Sequence, residues 1–221
     1  MQRPLLLVAL VLLAGVLAWL LWWWEPASEP TRPHQHFGLA ETPRGGDFVL
    51  ESASGPLSLA NLRGQVVLIY FGYSWCPDIC PTNLAFIANA LKTLGPDELE
   101  QVQVLFISVD PERDDGERLT RYTGYFHPRI RGLRGPPEQI AEVARRYGAA
   151  YQRAQGADSA LGYTVDHSSA IYVVDPEGRL AVTLDHATAP ERIAATIRSL
   201  LSSPQTHPDQ PSTPAPAEQT P

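Results

Sequence analysis

Apolar positions along the chain fall either in continuous runs or at helical spacing, and this pattern predicts most of the secondary structure. The runs "QVVLIYFGY" and "VQVLFISVD" are rich in β-branched and aromatic residues, which predicts two strands buried on both faces. Between them, "PTNLAFIANALKTL" carries its apolar residues at helical spacing, and the Gly-Pro pair that follows ends the predicted helix. The centre of the chain is therefore predicted to contain a strand, a helix and a second strand.

The flanking segments predict shorter elements. "FVLESASGPLSL" is typical of a hairpin that turns at Gly55-Pro56, and "SAIYVVDPEGRLAVTL" of two strands around a Pro-Glu-Gly turn. Three more helices are predicted, namely "DDGERLTRYTGYF" with Asp114 or Asp115 as its cap, "PPEQIAEVARRYGAAY" with a proline at its start, and "APERIAATIRSLL". The order β-α-β-α-α-β-β-α predicts an α/β fold with a central mixed sheet flanked by helices. This order resembles a thioredoxin-like fold, because it starts with a strand, a cysteine motif and a helix and closes with a hairpin and a helix.

An uncharged apolar run at residues 4–24 precedes this domain. As a helix it would span about 30 Å, the thickness of a bilayer core. The run is longer than the apolar region of a cleaved signal peptide and ends in three tryptophans, so it predicts an uncleaved transmembrane anchor. Arg3 precedes the run while Glu25 and Glu29 follow it. By the positive-inside rule, residues 1–3 are expected in the cytoplasm and the domain outside it.

Composition sets the domain bounds and limits the partners. Residues 25–37 are proline-rich and polar and predict a linker, residues 38–202 form the predicted thioredoxin-like domain, and residues 203–221 predict a disordered, proline-rich tail. A net charge of −7 argues against a nucleic-acid partner. The acidic composition and the lack of a spare apolar stripe favour a monomer.

The chain has two cysteines, Cys76 and Cys80, which lie between the first buried strand and the next helix. Pro81 is expected at the first helical position, so the pair would lie at a helix N-terminus, where cysteine pKa values fall. If the segment is helical or turn-like, residues four apart share one face, with Cβ atoms about 5 to 6 Å apart. Two such thiolates can chelate a soft metal or, with a modest backbone adjustment, approach disulfide geometry.

Two other interpretations of the pair are structural. Buried cysteines can act as small apolar side chains, but that does not explain the flanking prolines or Asp78 between the two thiols. Structural zinc usually takes four nitrogen or sulfur ligands, and the chain offers only two cysteines. With no cysteine outside the pair, no structural disulfide braces the fold, so the pair is predicted to carry chemistry.

One histidine is predicted to complete the site. His167 lies in "YTVDHSSAIYVV" just before a buried strand, and in a thioredoxin-like sheet this loop lies beside the cysteine loop. Two thiolates and an imidazole form a trigonal soft site that selects Cu(I) and can also hold Cu(II). Asp166 or Ser168 is a candidate to orient the ring. Four other histidines are interpreted as solvated, namely His34, His36, His186 and His207. His127 lies at a predicted helix end, where a cationic side chain would suit the helix dipole.

Three segments together resemble the Sco/SenC family of copper-binding assembly proteins, namely "YFGYSWCPDICPTNL" at 70–84, "FISVDPERD" at 106–114 and "VDHSSAIYVVDPEGRL" at 165–180. The resemblance covers residues 38–202 and implies a thioredoxin-like fold. It implies copper bound at Cys76, Cys80 and His167, received from an upstream donor and delivered to the copper-accepting subunit of cytochrome c oxidase for its binuclear centre. Mitochondrial relatives carry a transit peptide before the anchor, whereas here the apolar run begins at residue 4. A single-pass protein of a bacterial cytoplasmic membrane, with its domain in the periplasm, is therefore expected.

Two further activities use the same thiols. In a thiol-disulfide oxidoreductase, Cys76 and Cys80 would be the catalytic pair that keeps the oxidase cysteines reduced. Typical thioredoxin-like reductases have two residues between the cysteines and a cis-proline facing them, whereas this chain has three residues and "DHSSAIY". This difference favours a metal carrier over a general reductase but leaves open the reduction of one dedicated partner. A peroxidase would need a peroxide-binding environment, and the sequence around Cys76 does not specifically indicate one.

Overall fold

The computed structural model describes residues 12–17, 19–20, 43–154 and 162–203. The chain divides into two compact units, Met1–Leu39 and Ala40–Pro221. The described residues of the first unit are helical and exposed. Among the described residues, no helix is both long and apolar enough to cross a membrane. Most of the predicted anchor, the whole linker and nearly all of the tail lie outside the described residues, so these assignments stay predictions.

The second unit is built around a seven-stranded mixed sheet. The strands of this unit are β1 Val49–Ser52, β2 Gly55–Ser58, β3 Val66–Gly72, β4 Val102–Ser108, β5 Ile130–Arg134, β6 Tyr151–Ala154, β7 Thr164–His167, β8 Ile171–Val174 and β9 Leu180–Leu184. The sheet has the order β2-β1-β5-β4-β3-β8-β9. Strands β3, β4 and β5 run parallel, whereas β8, β9, β1 and β2 are joined by antiparallel pairings. A separate antiparallel pair, β6-β7, lies outside this sheet. The helices are α1 Ile79–Lys92, α2 Pro96–Glu100, α3 Gly116–Phe126, α4 Pro137–Tyr147 and α5 Pro190–Ser202, with a 3-10 turn at Leu59–Leu62.

Helices cover both faces of the sheet. Every residue of β3 and β4 is buried, as the continuous apolar runs predicted. One face packs against the apolar side chains of α1, α3 and α5, and the other face packs against α4. The predicted α/β architecture, a mixed sheet flanked by helices, is therefore confirmed.

The structure was needed to assign the first hairpin, strand β5 and the β6-β7 pair, which was predicted as a loop. Ser52 pairs with Gly55, so the first hairpin turns at residues 53–54, two positions earlier than predicted, and Gly55 opens β2 at φ +108°. Strand β5, with the sequence "IRGLR", was not predicted because two arginines interrupt its apolar pattern. It fits between β1 and β4 partly because Gly132 has no side chain, since a Cβ there would lie 2.6 Å from the Cβ of Leu119.

The start of α1 also differs from the prediction. The helix begins at Ile79, so Pro81 is its third residue and Cys80 lies inside the first turn. Pro81 is tolerated there because the first N–H groups of a helix have no intrahelical partner. At the start of α3, Asp115 is the cap and accepts a hydrogen bond from the Arg118 N–H at 2.7 Å. Asp114 therefore has a different role.

Candidate metal centre

The loop between β3 and α1 carries Cys76, and a buried carboxylate anchors it. Asp114 is fully buried and accepts hydrogen bonds from the Ser74 N–H at 3.0 Å and the Ser108 hydroxyl at 2.7 Å, as well as from the Ser74 hydroxyl. The Arg118 guanidinium lies 3.8 Å from this carboxylate and 4.0 Å over the ring of Trp75. Sequence reasoning missed this contribution of Asp114, although a carboxylate so close to a buried strand was a signal.

Cys80 lies in the first turn of α1 with its side chain fully buried against β3. The last residue of that strand is Gly72, and a Cβ at this position would lie 2.6 Å from the Cys80 sulfur. A glycine at the end of a strand often marks such a close approach. The thiol therefore occupies space that any other residue at position 72 would fill.

His167 ends β7 and points its ring at Cys80. Its Nε2 lies 3.3 Å from the Cys80 Sγ, and its Nδ1 lies 2.9 Å from the carbonyl oxygen of Ser168. Because a carbonyl can only accept, Nδ1 donates to Ser168, and Nε2 is the ring nitrogen that faces the thiols and can bind a metal. Ser168 thus orients the ring through its main chain, since its hydroxyl bonds Ala150 instead. Asp166, the other predicted candidate, is exposed.

Two tyrosine rings enclose the imidazole. The rings of Tyr73 and Tyr70 meet the ring of His167 edge to face, with centroids 5.8 and 6.2 Å away. The Tyr73 hydroxyl also accepts a hydrogen bond from the Val165 N–H at 3.3 Å. Tyr73 thereby joins the cysteine loop to the strand that carries His167, and the ring has little freedom to turn away.

The structure brings Cys76, Cys80 and His167 together, with their donor atoms all within 4.8 Å of one another. Both cysteines are free thiols. Three donors around one ion, at metal–donor bonds of about 2.0 to 2.3 Å, lie about 3.5 to 4 Å apart. Small side-chain movements would therefore close the site on a metal. Within residues 43–154 and 162–203, no other cluster of His, Cys, Asp and Glu side chains offers three such donors.

The two thiols differ in acidity. A hydrogen bond from Cys80, together with one from His167 and the N–H groups of Asp78 and Cys80, outweighs partial burial and lowers the pKa of Cys76 to about 4. Burial raises the pKa of Cys80 above its ordinary value, and the neighbouring Cys76 thiolate adds to this effect. At neutral pH the site therefore pairs a partly exposed thiolate with a buried thiol.

The two other histidines that the structure describes take no part in the site. His186 is exposed, as predicted. His127 ends α3, but its Nδ1 accepts the Arg129 N–H at 3.1 Å, and burial lowers the pKa of its imidazole. Both observations count against the predicted cationic role of His127 at the helix end. His34, His36 and His207 lie outside the described residues.

A mixed sheet flanked by helices, with a cysteine pair at the start of a helix and a histidine facing it, defines a thioredoxin-like protein with a Cys-Cys-His donor set. The chain belongs to the SCO1/SenC family, whose model matches residues 38–202. The family resemblance and the thioredoxin-like fold predicted from the sequence are both confirmed.

Three known proteins show how close the likeness is. The mitochondrial SCO2 homolog of Mus musculus is 43% identical over 155 residues, which cover 69% of this chain and 60% of the mouse protein. The solution structure of apo Sco1 from Thermus thermophilus is 42% identical with a TM-score of 0.65, covering 72% of this chain and 92% of that one. The structure of Bradyrhizobium japonicum ScoI with copper bound is 36% identical with a TM-score of 0.64, covering 71% and 98%. The matched region thus spans less than two thirds of the mouse relative.

Proposed function

We propose that this chain is a copper carrier for the assembly of cytochrome c oxidase, holding one copper ion with Cys76, Cys80 and His167. The observation that carries the proposal is the convergence of two free thiols and an imidazole nitrogen within 4.8 Å. Soft thiolate ligands select Cu(I), and the imidazole also suits Cu(II). Support comes from the Bradyrhizobium relative, which has copper bound.

The geometry suggests how copper would enter and leave. Cys76 is already a thiolate, so it can bind copper without first losing a proton, whereas binding at Cys80 releases one. Cys76 is also the more exposed of the two cysteines. An incoming thiolate or imidazole of a partner would therefore replace Cys76 first, while Cys80 and His167 still hold the ion.

The setting of the domain is part of the proposal. The apolar run at residues 4–24 would anchor the chain in a bacterial cytoplasmic membrane, with the domain in the periplasm as a monomer. Confinement to the membrane would raise its effective concentration near a membrane-embedded oxidase. Copper would come from an upstream donor and pass to the copper-accepting subunit of the oxidase.

The acidity difference between the thiols favours a second candidate, a dedicated thiol-disulfide reductase. The Cys76 thiolate would attack a partner disulfide, form a mixed disulfide and release one partner thiolate. Cys80 would then lose its proton and attack the Cys76 sulfur, releasing the second partner thiolate. The partner disulfide would be reduced to two thiols, and the chain would be oxidised to a Cys76–Cys80 disulfide that a reductant must restore.

An anaerobic Cu(I) titration of the full chain against a competing chelator separates the two candidates. The wild-type chain and the His186→Ala control should bind one equivalent, and Cys76→Ser should weaken binding by more than about 100-fold because a direct ligand is lost. His167→Ala should retain Cu(I) on two thiolates but lose the intense thiolate-to-Cu(II) absorption band. If the wild type binds neither Cu(I) nor Cu(II) while its cysteines cycle as a disulfide, the carrier is refuted and the reductase is favoured.

A further inference from the structure

One polar side chain lies on the buried face of α1. Asn83 follows Cys80 by three residues and shares the core-facing side of the helix with Leu84 and Ile87, yet it is fully buried. Asparagine is a weak helix former, and a buried amide has to find hydrogen-bond partners. Its position one turn after a proposed ligand suggests that these partners matter for the site.

The carboxamide of Asn83 connects three distant parts of the chain. Its Nδ2 donates to the Ser169 carbonyl at 2.9 Å and to the Tyr70 hydroxyl at 3.1 Å, and its Oδ1 accepts the Ala187 N–H at 3.1 Å. Ser169 is the second residue after His167. One side chain therefore ties the helix that carries Cys80 to the segment that carries His167.

The contact with Ala187 has a conformational cost. Among the described residues, Ala187 is the one non-glycine residue with a positive φ, at +56°. An L-residue with a side chain rarely adopts this backbone region, and it persists where the surroundings over-determine it. The hydrogen bond that Asn83 accepts is one of the contacts that hold it, so the β9-α5 loop is also fastened to the site.

The contact with Tyr70 supports the surroundings of both proposed ligands. The Tyr70 hydroxyl accepts a hydrogen bond from Asn83, and the Tyr70 ring lies edge to face with the His167 ring, with centroids 6.2 Å apart. Tyr70 and Cys80 also belong to the same buried cluster. Asn83 therefore holds a tyrosine next to the pair formed by Cys80 and His167.

We propose that Asn83 is a positioning residue whose carboxamide holds the His167 segment against α1 and so keeps the His167 Nε2 beside the Cys80 sulfur. The inference rests on the proposed function, because it assigns the placement of the third copper ligand. Asn83 does not itself contact the metal. Its contribution is to hold the His167 imidazole in the ligand position before copper binds. This matters most for Cu(II), the oxidation state that depends on the nitrogen ligand.

The test begins with the metal-free full chain, since the placement of His167 does not need copper. Asn83→Asp keeps the shape and the acceptor but removes both donors, and Asn83→Leu keeps the shape without a charge. Asn89→Asp and Asn89→Leu are matched controls, because Asn89 is exposed on the same helix. The measurement is the nuclear Overhauser contact between the His167 ring and the Tyr73 ring or the Cys80 Hβ protons, followed by Cu(II) and Cu(I) titrations.

In the Asn83 variants we expect loss of these contacts, Cu(II) binding weaker by about 10- to 100-fold, and loss of imidazole-nitrogen coupling in the Cu(II) resonance spectrum. Cu(I) affinity should change far less, because two thiolates remain, and the Asn89 variants should match the wild type. Retained ring contacts in folded Asn83 variants would overturn the proposal, whatever the copper data. Loss of the fold in both Asn83 variants would assign the residue a structural role only and would also overturn it. A wild type that shows the ring contacts but binds no copper would refute the proposed function alone.

Discussion

The close approach of Gly72 to Cys80 leads to a sharp prediction for the substitution Gly72→Ala. The added Cβ would lie 2.6 Å from the Cys80 Sγ and 2.9 Å from Cε2 of Phe106, whereas ordinary contacts begin at 3.4 Å. The sulfur would have to retreat by about 0.8 Å, and both neighbours are fully buried. Overpacking of this kind costs about 2 kcal/mol, which lowers the melting temperature of a domain of this size by about 4 to 8 °C.

The same displacement should damage the copper site. Donors have to be held within about 0.5 Å of their working positions, so we expect Cu(I) binding to weaken by about tenfold or more. The assays are calorimetric melting of the metal-free full chain and Cu(I) competition against a chelator. Gly124→Ala is the matched control, because Gly124 lies in α3 and a Cβ there meets nothing within 4 Å. This control should gain up to about 1 kcal/mol of stability from the better helix propensity of alanine.

Either of two results would refute this reasoning. A Gly72→Ala chain with the melting temperature and copper affinity of the wild type would show that Cys80 is not confined by β3. Equal destabilisation by Gly124→Ala would show that the effect comes from replacing a glycine and not from the contact with the sulfur.

Three further predictions concern the acidity of Cys76 and the contributions of Asp114 and Tyr122 to the stability of the domain. Cys76, with its pKa lowered to about 4, should react with iodoacetamide at a nearly constant rate from pH 6 to 8, followed by mass spectrometry of the metal-free, reduced chain. Asp114→Asn should destabilise the domain by about 1 to 3 kcal/mol in urea unfolding, because an amide cannot accept all the donors now facing the carboxylate. Tyr122→Phe should be neutral or stabilising by about 1 kcal/mol, because its buried hydroxyl has no hydrogen-bond partner among the described residues.

Each of these has a control. An exposed model thiol should react about tenfold faster for each pH unit, and the same slope at Cys76 would contradict the lowered pKa. Asp115→Asn should hardly change the free energy of unfolding, because asparagine caps a helix as well as aspartate does. If it destabilised the domain as much as Asp114→Asn does, the special role of Asp114 would be contradicted. Tyr70→Phe should destabilise the domain, because that hydroxyl is hydrogen-bonded, and a similar loss in Tyr122→Phe would contradict the reasoning.

Local pattern was sufficient for much of the fold. The buried strands β3 and β4, the helices α1, α3, α4 and α5, and the β8-β9 hairpin follow from apolar spacing and turn residues within a few positions of each other. The type of chemistry also followed from local residues, since two thiols four apart before a helix and one histidine before a strand indicate a soft metal site. These signals were readable because each depends on neighbours in the chain.

Strand β5 depended on distant residues. Its sequence alternates apolar and basic residues too briefly to predict a strand, and its hydrogen-bonding partners come from β1 and β4. The tight passage of Gly132 past Leu119 is visible only once α3 is packed on the sheet. β-Pairing of this kind is set by the surrounding sheet more than by intrinsic propensity.

The sequence alone was enough to predict most of the helices and strands, the family and the identity of the three candidate ligands. Tertiary structure alone decided that Asp114 holds the loop of Cys76 from 40 residues away, and that Asn83 joins Ser169 and Ala187 across 86 and 104 residues. It also decided which thiol is acidic, because burial and hydrogen bonding set the pKa. The physical reason is range: propensity acts over one turn or one strand, whereas desolvation and hydrogen bonding act between whatever groups the folded chain brings together.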